Sequence, residues 1–193
     1  MLASERELLD YLESQSIPYQ YVPHPAVYTC EQAEQYRPTL PGVSTKNLFL
    51  RDKRRRFYLL MTACEKQVDL KQLSRQQGTA KLHFGDEASL LELLGVTPGA
   101  VTVLGLVNDR ENQVRLWVDE SIWQGEFFLC HPVVNTATLV ITRKDLTGKE
   151  MHELDGKIQA ILNRGQLMEE GLLEELRETI RRCDVAQGIV PAP

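Results

Sequence analysis

The sequence has no run of about eighteen apolar residues, so it offers no helix able to span a bilayer. Its start, MLASERELLDYL, is charged from the fifth residue and lacks an apolar core, so no secretory leader is expected and a cytoplasmic protein is. Cysteine is scarce: Cys30, Cys64, Cys130 and Cys183 are scattered and include no CxxC pair, a pattern that predicts reduced thiols. The histidines His24, His83, His131 and His152 lie far apart, with neither HExxH nor zinc-type spacing, so no metal or other cofactor is expected. Internal repeats of twenty to fifty residues are missing too, which excludes a solenoid.

What is present is an ordinary globular composition. The 193 residues suit one domain with an appendage, and 42% hydrophobic with 25% charged residues can form a real core. The net charge of −5 is unevenly spread. Between Ser44 and Lys81 ten basic residues face three acidic ones, giving +7, while the remainder carries −12. That asymmetry suits a protein that meets a polyanion with one patch and repels it elsewhere. A solvated hairpin turn would look the same.

Local signals outline the elements. Ser4-x-x-Glu7 is a capping box before an amphipathic helix bearing Leu8, Leu9 and Leu12. SIPYQYVPHPAVY is proline-punctuated and extended, and Thr29-x-x-Gln32 starts a short helix that ends before Pro38. KNLFLRD and RRFYLLM form a hairpin about a basic turn. VDLKQLSRQQ and DEASLLELL are helices closed by Gly78 and Gly95. AVTVLGLVND and QVRLWVDES read as a second hairpin, with GEFFLCH and ATLVITRKDL as further strands. The strands show little strict alternation, so many should be buried on both faces. The expected fold is α/β (or α+β): a curled mixed β-sheet or barrel-like core with helices packed outside. Past Gly148, EMHELDGKIQAILNRG and QLMEEGLLEELRETIRRC read as two polar helices, the second striped by Leu167, Met168, Leu172, Leu176 and Ile180. The chain thus divides into residues 1–147 and a helical extension, 148–193.

Three stretches could carry chemistry. Lys46 shares a strand face with Leu48 and Leu50, so it sits partly buried at the rim of the sheet, where a lysine wants an anionic partner. The alternative is a lysine reaching to solvent. In LGVTPGAV, Gly95 closes a helix and Thr97-Pro98-Gly99 forms a tight turn before the next strand, where bare backbone amides can hold an oxyanion. In HPVVNTAT, His131 is held extended by Pro132, with Asn135 and Thr136 close behind. Cys130 and His131 point to opposite faces, which argues against a cysteine–histidine pair.

TKNLFLRD, LGVTPGAVTVLGLVND, HPVVNTAT and HPAVYTCEQA, in that family's order, resemble the YbaK-like prolyl-tRNA synthetase-associated editing domains from the first helix to about residue 146. The resemblance implies hydrolysis of the ester that joins a wrong amino acid to a tRNA 3′ adenosine, alanine on tRNA(Pro) foremost. Removal of Ser, Cys or Thr, or a non-catalytic tRNA- or amino-acid-binding role, stays open. It implies that Lys46 anchors the terminal nucleotide and that Thr45, Asn47, His131 and Asn135 shape the pocket. The loop that holds Gly95, Pro98 and Gly99 would supply backbone donors, and the 2′-hydroxyl would assist in place of a protein nucleophile. Arg51, Lys53, Arg54, Arg55 and Arg56 would then meet the acceptor stem, and prolyl-tRNA synthetase is a possible partner. The sequence departs from the family pattern at Thr102-Val103-Leu104 and after residue 148.

Overall fold

The computed structural model describes residues 4–36, 39–144 and 158–162. The Ser4 hydroxyl accepts the Glu7 amide, and the Glu7 carboxylate accepts the Ser4 amide, so α1 (Glu5–Ser14) begins with the expected reciprocal cap. Leu8 and Leu12, one turn apart, are wholly buried. β1 (Gln20–Pro23) follows, then the short α2 (Cys30–Glu34), capped by Thr29. β2 (Val43–Asp52) and β3 (Phe57–Ala63) form the expected hairpin. α3 (Leu70–Gln76), β4 (Leu82–Phe84) and α4 (Glu87–Leu94) come next, with Asp69 and Asp86 capping the two helices. The rest comprises β5 (Val114–Asp119), α5 (Glu120–Trp123), β6 (Phe127–Cys130), β7 (Ala137–Thr142) and β8 (Ile158–Leu162).

The eight strands make one mixed sheet in the order β1-β7-β6-β2-β3-β5-β8, with β4 beside β2. Strand alternation divides the core in two. Phe49, Leu59 and Met61 point to the larger cluster, which takes in α1 and α4. Leu48, Leu50, Tyr58 and Leu60 point to the smaller one, which includes Leu73 of α3 and Trp117. Tyr58 and Trp117 stack there at 4.3 Å between ring centroids. Such a pair contributes ~1 kcal/mol beyond its buried area. β3 and β5 are buried on both faces, as their unalternating sequences imply. Among the described residues no helix is long and apolar enough to cross a membrane.

Two expectations fail. AVTVLGLVND is not one arm of a hairpin: Val103–Asn108 is a 3-10 helix, and β5 pairs parallel with β3. Thr102 turns the chain into that helix by accepting the Leu104 amide, and Gly105 lets it close on Leu94. Val103 to Val107 are all buried, and a short apolar run buried all round reads alike as strand or helix. In the tail, residues 158–162 form a strand parallel to β5 rather than part of a helix. Ile158–Leu162 is largely apolar and pairs with the edge of β5 that β3 leaves open. The second tail helix and the 147/148 boundary lie outside the described residues.

One feature of the sheet prepares the site. On the edge of β2 away from β3, β6 pairs only with Val43 and Ser44, and β4 only from Leu50 onward. Among the described residues, positions 45–48 therefore have no strand partner on that side. The sheet splits where Lys46 and Asn47 lie.

Candidate functional site

A cavity of about 180 Å³ occupies the split, lined among others by Thr45, Lys46, Asn47, Gly99, His131 and Tyr28. β2 supplies the floor, and His131 follows directly from the end of β6. The Thr45 hydroxyl donates to the Leu129 carbonyl at 2.6 Å, tying the diverging strands together just above the cavity. Lys46 is half-buried at the rim, and its ammonium donates to the Cys64 carbonyl at 2.8 Å. An ammonium has three donors, so two remain for a ligand.

Asn47 presents a different feature. Its Oδ1 is buried and, among the described residues, has no hydrogen-bond partner. A buried acceptor without a donor costs roughly 1–3 kcal/mol, which a bound donor would recover. The His131 Nδ1 lies 2.9 Å from the Ala137 carbonyl. A carbonyl only accepts, so Nδ1 carries the proton. Burial lowers the His131 pKa, and nearby His24 adds to that, against the opposing pull of the Ala137 bond. His131 is therefore neutral at pH 7 with Nε2 as an acceptor. The wall and floor thus offer two acceptors, with a cation at the rim.

The glycine turn closes the other side. Gly95 caps α4 in the left-handed conformation and is buried outside the cavity lining, as a helix stop. Pro98 is exposed in the turn, and Ala100 donates back to the Thr97 carbonyl at 3.0 Å. Gly99 alone of the three lines the cavity, at φ +90°. Among the described residues its amide has no backbone acceptor. Asn135 stands behind the wall: it exchanges two hydrogen bonds with Val27, each 3.0 Å, and fixes the segment before Tyr28. Val133, in the same loop, is a buried β-branched residue at φ +58°, a strained backbone.

The basic turn lies at the far end of β2, ~20 Å from Lys46 along the strand. There Arg56 pairs with buried Asp52 at 2.7 Å, and Arg51 pairs with Asp86 at 3.0 Å. Burial works to raise the Asp52 pKa, but bonds from Arg56 and the Arg54 amide outweigh it and hold it low. Lys53, Arg54 and Arg55 are exposed.

Sequence reasoning missed two elements of the site. Tyr28 is 72% exposed at the cavity mouth and packs beside Gly99. Cys30 and Cys64 form a disulfide in the cavity wall, against the expectation of free thiols. They are 34 residues apart, so only the fold could bring them together. Cys130 is buried, and desolvation pushes its thiol pKa up to about 12, which removes it as a nucleophile. Among the described residues no group of three or more His, Cys, Asp and Glu side chains could hold a metal ion.

Residues 24–148 match the family described as the aminoacyl-tRNA editing domain. The chain is 38% identical over 143 residues to the prolyl-tRNA synthetase associated domain-containing protein 1 of Danio rerio, covering 73% of this chain and 78% of that one. It is 33% identical over 144 residues to the prolyl-tRNA editing protein ProX of Acetoanaerobium sticklandii, covering 74% and 88%. The crystal structure of a candidate trans-editing enzyme for prolyl tRNA synthetase superposes with a TM-score of 0.62 at 22% identity, over 81% of this chain and 93% of that one. At that identity the last likeness concerns the fold, and the mixed sheet with surrounding helices is the same.

Proposed function

The chain belongs to the aminoacyl-tRNA editing domain family, and on that premise we propose that it hydrolyses mischarged tRNA(Pro), with alanyl-tRNA(Pro) as its substrate. The convergence of Lys46, Asn47, Gly99 and His131 on one small cavity carries this reading. An aminoacylated 3′ end brings an α-ammonium, an ester carbonyl, a ribose 2′-hydroxyl and a terminal phosphate. Each has a complement here. Asn47 Oδ1 and His131 Nε2 accept from the ammonium, Lys46 meets the phosphate, and the Gly99 amide faces the carbonyl oxygen. Tyr28 offers a flat exposed ring on which the terminal adenine can stack.

Catalysis follows from holding a reactive ester in register with water. Water attacks the carbonyl carbon, and the Gly99 amide donates to the oxygen as it becomes negative. The 2′-hydroxyl orients the water and relays its proton to the departing 3′-oxygen. Free alanine and a tRNA with an intact 3′ end result. No side chain forms a covalent bond with substrate. A synthetase pocket built for proline cannot exclude alanine by size, since a lost methylene is worth only about 1–3 kcal/mol, so a second hydrolytic sieve is needed. Exposed Lys53, Arg54 and Arg55 supply contacts to the acceptor-stem backbone. Hydrolysis of alanyl-tRNA(Pro) by the wild type, lost in a folded Lys46→Ala variant, tests the assignment; equal turnover by both would overturn it.

A further inference from the structure

The cavity wall made by α2 is held in an unusual way. α2 has five residues and buries none of them. A helix that short has no stability of its own. Upstream it is anchored through Val27, which bonds Asn135, and through His24, whose amide donates to the Thr136 carbonyl at 2.9 Å. Toward β2 and β3, its covalent tie is the Cys30–Cys64 disulfide. The Cys64 end of that tie is rigid. The Cys64 amide donates to the Ser44 carbonyl at 2.9 Å, the Lys66 amide turns back onto the Ala63 carbonyl, and the Lys66 ammonium pairs with buried Asp119 at 2.7 Å. The Cys64 carbonyl in turn receives Lys46. The disulfide therefore joins a firmly held part of the site to a surface helix with no buried residue, steadied besides by the Tyr36 stack on His24 at 5.4 Å between ring centroids.

Resting on the editing function above, we propose that Cys30–Cys64 is a redox latch on the substrate cavity: oxidised, it holds α2 as a formed wall; reduced, it lets α2 leave, and affinity for the mischarged 3′ end falls. Both cysteines are half-buried rather than buried, and both also line an outer groove, so a reductant has access. In reducing compartments disulfides are typically transient and redox-sensing rather than structural. The step is a thiol–disulfide exchange with a dithiol. One reductant thiolate attacks a sulfur of the pair, giving a mixed disulfide and a released thiol. The second reductant thiol closes its own disulfide and frees the other cysteine. Two electrons and two protons pass to Cys30 and Cys64.

The full-length chain, oxidised or treated with dithiothreitol and verified by thiol counting, is assayed on alanyl-tRNA(Pro) beside Cys30→Ser. Reduction should raise KM about tenfold, the cost when only one molecule in roughly ten keeps the competent wall, with kcat changing less. Cys30→Ser should show the raised KM in both conditions, which separates the latch from effects at Cys130 or Cys183. Amide exchange across residues 30–36 reads the same event without substrate, and should quicken on reduction while β2 and β3 amides hold theirs. If oxidised protein cleaves no mischarged tRNA, the functional reading fails, and exchange still decides the latch. Identical α2 exchange in both redox states, or a Cys30→Ser variant that responds to dithiothreitol as the wild type does, overturns it.

Discussion

The Lys46 ammonium sits 2.8 Å from the Cys64 carbonyl, across a β2–β3 register that places Lys46 opposite Thr62. That bond holds the charge at the cavity rim before substrate arrives, so little rearrangement is needed on binding. Replacing Lys46 with Met keeps the bulk of the stem and removes the charge. Hydrolysis should fall about 100-fold, the usual loss for one positioned polar group, with the melting temperature nearly unchanged. Steady-state kinetics beside a thermal melt would check both.

Gly99 turns at φ +90°, where a side chain is strained whatever room it has. A Cβ there would meet Tyr28 Cδ1 at 3.4 Å, an ordinary contact, so the backbone and not a clash makes the difference. Gly99→Ala should cost about 1 kcal/mol of stability. It should also displace the bare amide and lower kcat more than it raises KM. Denaturant titration and kinetics on the same variant would show this.

His131 gives the pH dependence. Its pKa in the fold lies below the ordinary histidine value, chiefly through burial. Folded protein thus binds fewer protons than unfolded protein between the two pKa values. Stability should fall as pH drops below about 6.5 and be unaffected by this group above it. Protonation also turns Nε2 from acceptor to donor, which repels a substrate ammonium. KM should rise on that acid limb, and the limb should disappear in His131→Ala.

Lys66 pairs at 2.7 Å with the buried carboxylate of Asp119. Burial works to raise the Asp119 pKa, but bonds from Lys66, Thr62 and Ser121 outweigh it and leave it low. Its contribution is therefore present above the ordinary aspartate range and lost as pH falls through the lowered value. Lys66→Met strands the carboxylate and should lower stability by about 3 kcal/mol at pH 7. The deficit should shrink below pH 4, as urea titrations at both pH values would show.

Much of this was legible beforehand, because short-range chemistry decided it. The Ser4 and Thr29 caps and the β2–β3 hairpin each rest on residues within a few positions of one another. So does the left-handed Gly95 stop. The motifs holding Lys46, Asn47, Gly99 and His131 marked residues that meet in one cavity, although nothing local says that they meet. What escaped depends on long-range packing. Whether Val103–Val107 coils or extends is set by its burial against Leu94, and Ile158–Leu162 is a strand because β5 offers it an edge. The ion pair of Arg51 needed Asp86, 35 positions along the chain, in place. The same holds for Cys30 and Cys64, since a pairing across 34 residues leaves no spacing signature.

The most direct test of the account is hydrolysis across alanyl-, seryl-, cysteinyl- and prolyl-tRNA(Pro), wild type beside Lys46→Ala. The account predicts rapid release of alanine, sparing of proline, and loss of activity on every substrate when the lysine is removed. Prolyl-tRNA(Pro) cleaved as fast as alanyl-tRNA(Pro), or alanine released at equal rates by both proteins, would contradict it.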